Sequence, residues 1–147
     1  MKVALGADHA GYEEKERLKP VLNELGIEFE DFGAVSTDSV DYPDFAAKVA
    51  RKVADGEFDQ GLLVCGSGTG MAIAANKVHG VRAAVAWNEE TARLAREHND
   101  ANVLSLGART TPENEIPKIV RAWFETKFAG GRHQQRIEKI RELEEQE

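Results

Sequence analysis

Strand-like and helix-like stretches alternate five times along this chain, and that alternation leaves few architectures open. Val3-Ala4-Leu5-Gly6 reads as a short buried strand, and Leu18, Val21, Leu22 and Leu25 then recur at helical spacing. Pro20 lies on the polar side of that helix and is expected to kink or divide it, and Gly26 is placed to cap it. Ile27 to Phe32 alternates as a strand with one wetter face. A second helix follows, marked by Phe45, Ala46, Val49, Ala50 and Val53 and stopped near Gly56. The third strand is the apolar run Gly61 to Cys65, with a helix after it over Ala72 to Lys77. Val81 to Ala86 is the fourth, followed by a helix from an Asn88 cap to His98, and Asn102 to Gly107 is the fifth. Thr111-Pro112 has the character of an N-cap and first helical residue. The helix it would start carries Ile116, Ile119, Val120, Trp123, Phe124 and Phe128 on one face. Gly130-Gly131 breaks the chain before a last charged helix, Arg132 to about Glu145, whose apolar stripe is only Ile137, Ile140 and Leu143.

Such alternation calls for a parallel sheet covered on both faces by helices. The expected fold is a single α/β domain over residues 1–147, a three-layer, doubly wound sheet of five strands in the order 2-1-3-4-5. The final helix is too thinly apolar to belong wholly to its own core, so it is expected to protrude toward a partner subunit. Charge narrows the partners further. A formal net charge of −7 argues against nucleic acid, and it requires cations to be concentrated locally wherever an anion binds. No apolar run reaches membrane-spanning length, and Met1 to Gly6 starts a strand instead of a signal peptide. The one cysteine of the chain cannot form an internal disulfide, which agrees with a reducing cytoplasm.

That cysteine stands in the most unusual stretch, Cys65-Gly66-Ser67-Gly68-Thr69-Gly70-Met71. Three glycines strip side chains from a turn at a helix N-terminus, so the amides from Gly66 to Gly70 can approach a bound anion closely. The same field favours thiolate over thiol at Cys65. Known anion loops do not match: the Gly-Lys-Ser/Thr ending of a P-loop is absent, the spacing is not that of a dinucleotide fingerprint, and Met71 stands where a cysteine phosphatase has arginine. Taken alone, the stretch also fits a tight strand-to-helix turn with an inert buried cysteine.

Ligands of doubly wound sheets bind beyond the carboxyl ends of the strands, where the strand order reverses. In the order 2-1-3-4-5 that point lies between strands 1 and 3, which places Asp8-His9 beside the Cys65 loop. Arg109, after strand 5, falls on the same edge. Tyr42 fits either a lid residue or a staple before Pro43. Arg132 and Arg136 share one helix face and suit phosphate oxygens, although such pairs commonly just solvate a helix. His98-Asn99-Asp100 reads most simply as a helix C-terminus, with Asn99 left-handed. Neither the four histidines nor the cysteine shows metal-ligand spacing.

Asp8-His9-Ala10-Gly11, Asp41-Tyr42-Pro43-Asp44, Cys65-Gly66-Ser67-Gly68, Ala74-Ala75-Asn76-Lys77, His98 to Leu104 and Gly130-Gly131-Arg132-His133 occur here in one order and spacing. In this the chain resembles ribose-5-phosphate isomerase type B, within the wider family of galactose-6-phosphate and allose-6-phosphate isomerases. The resemblance runs from Met1 to about Ile140. It implies a Rossmann-like or flavodoxin-like sandwich, no metal or other cofactor, and a homodimer or dimer of dimers with shared active sites. It implies that Cys65 is the base and that His98, with Asp8, opens the sugar ring. Ser67 keeps the hydroxyl of a commoner threonine and assists at the intermediate. His9, Arg109, Arg132 and Arg136 would hold the phosphate, Asn99 a sugar hydroxyl, and Tyr42, Thr69 and the glycines Gly66, Gly68 and Gly70 would line the site. One branch of the family has a glutamate base at the position of Met71 and no cysteine, so this chain resembles the cysteine branch. The expected reaction is interconversion of ribose 5-phosphate and ribulose 5-phosphate through an enediolate. The rivals are the same chemistry on a six-carbon sugar phosphate, and a non-catalytic module binding a phosphorylated ligand such as a flavin nucleotide.

Overall fold

The computed structural model describes residues 1–146. Among them β1 (Lys2–Ala7), α1 (Tyr12–Glu24), β2 (Glu28–Asp31), α2 (Tyr42–Ala54), β3 (Gln60–Cys65) and α3 (Thr69–Ala75) build the first half. The second half is β4 (Ala83–Val85), α4 (Glu89–Asn99), β5 (Val103–Gly107), α5 (Ile116–Glu125) and α6 (Arg132–Glu145). All neighbouring strands pair in parallel, in the order β2-β1-β3-β5-β4. The doubly wound class is the expected one, but the last two strands exchange places. Burial explains the exchange. β5 is buried at all five residues and sends Leu104 and Leu106 to one face and Val103 to the other, so it needs cover on both sides. β4 has three half-buried residues and tolerates the edge.

Period-two alternation divides the strand side chains between two cores. Leu5, Leu62, Val64 and Leu104 meet α1, α4 and α5 on one face, where Trp123 is fully buried and donates its indole N–H to Gln60 Oε1 at 2.6 Å. Ala4, Leu63, Cys65 and Val103 meet α2 and α3 on the other.

Helix ends depart from expectation in three places. α5 starts at Ile116 with Glu115 as N-cap, not at Thr111-Pro112, which leads into a turn closed by Glu115 N–H on Pro112 O. Pro117 is the reason: a helix begun at Pro112 would put it in the interior, where it costs about 3 kcal/mol, whereas a start at Ile116 leaves it in the first turn. Phe128 consequently lies beyond α5, in the irregular link. At the end of α4 the left-handed residue is Asp100, with φ of 45°, and Asn99 is still helical. α1 runs undivided through the exposed Pro20. As anticipated from its thin stripe, α6 buries only Ile137 of its 14 residues and leaves Ile140 and Leu143 exposed.

One buried cation fixes the loop that enters the site from β2. Lys15, 1% exposed on α1, donates to both Asp31 oxygens at 2.8 and 2.7 Å and to Ala34 O at 2.6 Å. Lys19 adds a second contact to Asp31 at 2.8 Å. Burial alone would raise the Asp31 pKa, but the hydrogen bonds from Lys15, Lys19 and the Gly33 amide outweigh it and hold the carboxyl below its ordinary 3.8. A depressed carboxyl stabilises the fold above its unfolded pKa and loses that contribution as pH falls through the folded value. Lys15→Met should therefore lose about 3 kcal/mol in denaturant titrations at pH 7, since it takes the buried cation from a partly buried carboxylate, leaving it only Lys19 and the Gly33 amide, and leaves a buried carbonyl without its donor. The gap from the unaltered protein should narrow as pH drops below 3.8. A gap independent of pH would show that the ion pair is not its source.

Candidate active site

The site forms where the chain leaves β1 for β2 on one side and places β3 on the other, at the carboxyl ends of β1, β3 and β5. A cleft of about 400 Å³ opens there, lined by Asp8, Tyr42, Cys65, Gly66, Ser67, Gly70, Arg109 and Thr110. Each arrives on a fixed element. Cys65 ends the fully buried β3, is itself 4% exposed, and its Sγ accepts the Gly68 amide at 3.2 Å. Asp8 follows β1, is buried, and accepts the Gly11 amide on Oδ1 at 3.0 Å. Arg109 follows β5, held through its own amide to Gly66 O at 2.9 Å, and its side chain lies along Gly66.

The glycine-rich turn is set by its neighbours. Gly68 has φ of 81°, and a Cβ there would lie 3.1 to 3.3 Å from the backbone of Leu106 and Gly107. Its carbonyl accepts the buried Ser105 hydroxyl at 2.6 Å. The Tyr42 ring packs where a Cβ on Gly70 would stand, so the ring and the turn close the cleft together. Two amides expected to cradle an anion are already engaged, Gly68 on Cys65 Sγ and Thr69 on Ser67 Oγ at 3.3 Å. His9 is half-buried outside the cleft lining. Its Nδ1 accepts the Val40 amide at 3.1 Å, which ties the 33–41 loop to β1 and leaves Nε2 as the donor of the neutral ring.

The other expected residues gather elsewhere. His98 and Asn99 end α4, directly before the turn into the first residue of β5, whereas Cys65 pairs with Gly107, the last residue of β5. The five residues of β5 separate the two edges by about 13 Å. Around His98 the chain brings Arg132, His133 and Arg136. The Ala129 amide bonds Glu97 O at 3.0 Å, and the His133 ring stacks on His98 with centroids 4.4 Å apart and planes 13° apart. Loss of solvent, then the charges of His98, Arg132 and Arg136, hold His133 below the ordinary imidazole value of 6.5, with Glu97 opposing. Asn99 borders a separate cleft of about 410 Å³ with Arg82, Ile140 and Leu143. The expected residues thus fall into two separate groups. The group at Cys65 carries Asp8 against Arg109, with no surplus of positive charge, and the group at His98 carries Arg132 and Arg136.

Sequence reasoning missed Ser105, Thr110 and His133. Ser105 carried a signal, as the one polar residue in a strand otherwise apolar. Thr110 and His133 carried only their adjacency to Arg109 and Arg132.

The sequence pattern of the ribose/galactose isomerase family matches residues 3–140. The chain belongs to that family. Ribose-5-phosphate isomerase B of Escherichia coli is 46% identical to it over 143 residues, covering 97% of this chain and 96% of that protein. The solved ribose-5-phosphate isomerase B of Clostridium thermocellum superposes with a TM-score of 0.97 at 49% identity, covering 99% of each chain. That of Mycoplasma genitalium, solved with bound ribulose-5-phosphate, gives 0.95 at 42% identity, covering 99% of this chain and 97% of the other. Within the family the likeness is to the type B enzymes, as the sequence motifs indicated, and the chain is an enzyme.

The geometry of the turn is directly testable. Gly56 and Gly68 have nearly equal positive φ, 78° and 81°, but a Cβ meets nothing within 4 Å at Gly56 and meets backbone at Gly68. Gly56→Ala should cost about 1 kcal/mol of left-handed strain, measured by denaturant unfolding, and Gly68→Ala distinctly more. Equal losses would mean that the turn relaxes without resistance from β5.

Proposed function

We propose that the chain interconverts D-ribose 5-phosphate and D-ribulose 5-phosphate as an aldose–ketose isomerase in the cytoplasm, with each active site shared between two subunits. The observation that carries the shared site is the placement of Cys65 and His98 at opposite edges of one sheet. The substrate assignment is supported by the relatives named ribose-5-phosphate isomerase B and by the Mycoplasma enzyme solved with ribulose-5-phosphate. A second copy brings His98, Asn99, Arg132 and Arg136 to the Cys65 cleft, and the two half-sites complement each other in charge.

In this reading the two arginines of the partner subunit, with Arg109 and His9, hold the phosphate as charge-assisted hydrogen-bond donors. His98 of the partner subunit, with Asp8, moves the proton that opens the furanose ring, and Asn99 holds a sugar hydroxyl. The Cys65 thiolate takes the proton from C2, and the electron pair moves through the C1–C2 bond onto the aldehyde oxygen. The enediolate oxygen meets donors of the Gly66 to Gly70 turn, among them the Ser67 hydroxyl. Such preorganised donors are worth about 10²–10³ in rate each. The hydroxyl proton passes from O2 to O1 of the enediolate, and return of the proton from the thiol to C1 then forms the C2 carbonyl of the ketose and restores the thiolate.

Substrate length is tested by comparing kcat/KM on ribose 5-phosphate, allose 6-phosphate and galactose 6-phosphate. Preference for ribose 5-phosphate is expected, and a hexose phosphate turned over better would reassign the substrate. A flavin absorbance in the purified protein would favour a binding module instead.

Site sharing is tested by mixing two chains, each nearly inactive alone. Cys65→Ala should remove turnover with the fold intact, and Arg136→Ala should lower kcat/KM about tenfold or more. In a two-fold dimer of one chain of each kind, one site combines an intact Cys65 with an intact Arg136. An equimolar mixture after subunit exchange should thus recover about a quarter of the full activity. Heterodimers demonstrated by native mass spectrometry but without recovery would mean that each subunit completes its own site.

A further inference from the structure

The turn that follows His98 and Asn99 is held by charges that neither the fold nor the proposed chemistry uses directly. Asp100 is the one non-glycine residue of positive φ among those described, at 45°. Asp is among the few residues that take this conformation at modest cost, yet glycine would take it at none. Its carboxylate explains the choice. Oδ1 accepts from the guanidinium of Arg96 at 3.1 Å, and Oδ2 lies 3.5 Å from that of Arg82. The Asp100 carbonyl accepts from Arg82 Nε at 2.9 Å.

Both arginines are anchored elsewhere. Arg96, 9% exposed, donates to Ala101 O at 2.6 Å and lies over the Trp123 ring at 5.9 Å. Its Nε is buried with no acceptor, a cost that the other contacts of this guanidinium must outweigh. Arg82, at the entry to β4, exchanges hydrogen bonds with Asn102: its amide donates to Asn102 Oδ1 at 2.7 Å, and its carbonyl accepts the Asn102 amide at 2.9 Å. Asp100 therefore joins the core side of α4 to the edge strand, one residue beyond Asn99 and two beyond His98. The His98 side chain is 42% exposed and meets the stacked His133 ring instead of the core, so its direction depends on how the backbone leaves α4.

We propose that Asp100, clamped between Arg96 and Arg82, is the positioning residue that fixes how His98 leaves helix α4 toward the substrate of the partner subunit. The proposal rests on the ring-opening role of His98 put forward above. It predicts a division between two measurable steps. Ribose 5-phosphate is largely a furanose and needs ring opening, whereas ribulose 5-phosphate cannot close into that ring and meets the Cys65 base directly.

The variants are Asp100→Gly, which keeps the backbone conformation and removes the carboxylate, and Asp100→Asn, which keeps the shape and removes the charge. His98→Asn is run in parallel. Two rates are measured for each: turnover of ribose 5-phosphate, and solvent deuterium exchange into ribulose 5-phosphate. With Asp100 positioning His98, Asp100→Gly should lose at least about tenfold in ribose 5-phosphate turnover while exchange stays within about twofold of the unaltered protein. Asp100→Asn should fall between. A purely structural role would lower both rates together, in proportion to the folded fraction seen by circular dichroism, and would overturn the proposal. So would ribose 5-phosphate turnover unchanged in the folded variant while His98→Asn loses it. Should Asp100→Gly fail to fold, the same comparison on Asp100→Asn decides. If His98→Asn itself lowers both rates equally, the ring-opening role fails, an outcome separate from failure of the clamp.

Discussion

Helices that cover a parallel sheet run back against its strands, and this one constraint governs where chemistry can sit in the molecule. Residues carried out on strand ends emerge at one edge of the sheet, and residues carried on helix ends emerge at the other. Asp8, Cys65 and Arg109 are of the first kind, whereas His98 and Asn99 are of the second. No rotamer change spans the length of β5, because a side chain reaches only a few ångströms from a backbone that the sheet holds rigid. A chain that uses both sets of residues together must meet a second copy of itself. The charge distribution follows the same line. The cleft at the strand ends balances Asp8 against Arg109, while Arg132 and Arg136 collect beside His98 at the opposite edge of a protein whose formal charge is −7.

Most of the fold was legible because burial patterns are local. Each strand was visible as an apolar or alternating run, and each helix as a face recurring at three and four residues. The strand order was less legible, since adjacency in sequence is only a statistical guide to adjacency in space. Val103-Leu104-Ser105-Leu106-Gly107 is richer in large apolar residues than Ala83-Ala84-Val85, and that difference is what makes β5 central and β4 an edge. Helix ends failed where two local signals competed. Thr111-Pro112 is a good start in isolation, but Pro117 vetoes a helix that begins there. Asn99 and Asp100 are both residues that accept a left-handed backbone, and the arginines that select Asp100 come from α4 and from the entry to β4, 18 residues apart in sequence from Asp100 in the case of Arg82.

The candidate site was legible in its chemistry and less so in its assembly. The glycines around Cys65 announced a turn that excludes side chains, and the structure gives two of the three a reason: Gly68 meets the backbone of β5, and Gly70 meets the ring of Tyr42. Tyr42 was ambiguous in sequence between a lid and a helix staple, and packing against Gly70 places it on the cleft. His133 was hidden because its relation to His98 depends on the path of the chain after α5. Only when Ala129 binds Glu97 does the start of α6 come beside the end of α4.

Three buried side chains share a task that ties stability to function. Ser105 on β5 holds the carbonyl of Gly68, Lys15 on α1 holds that of Ala34, and Arg96 on α4 holds that of Ala101. Each is a donor on a regular element that reaches an acceptor in a loop. These loops are the glycine-rich turn, the segment leading to Tyr42, and the turn behind His98. A buried carbonyl left without its donor costs about 1–3 kcal/mol, so each loop moves only by giving up that bond. The side chains that face a ligand can then be exposed, small or flexible themselves, because their backbone is fixed from beneath. Removing any of these donors should be felt first as a loosened loop, since the apolar faces that hold the sheet and helices together do not depend on them.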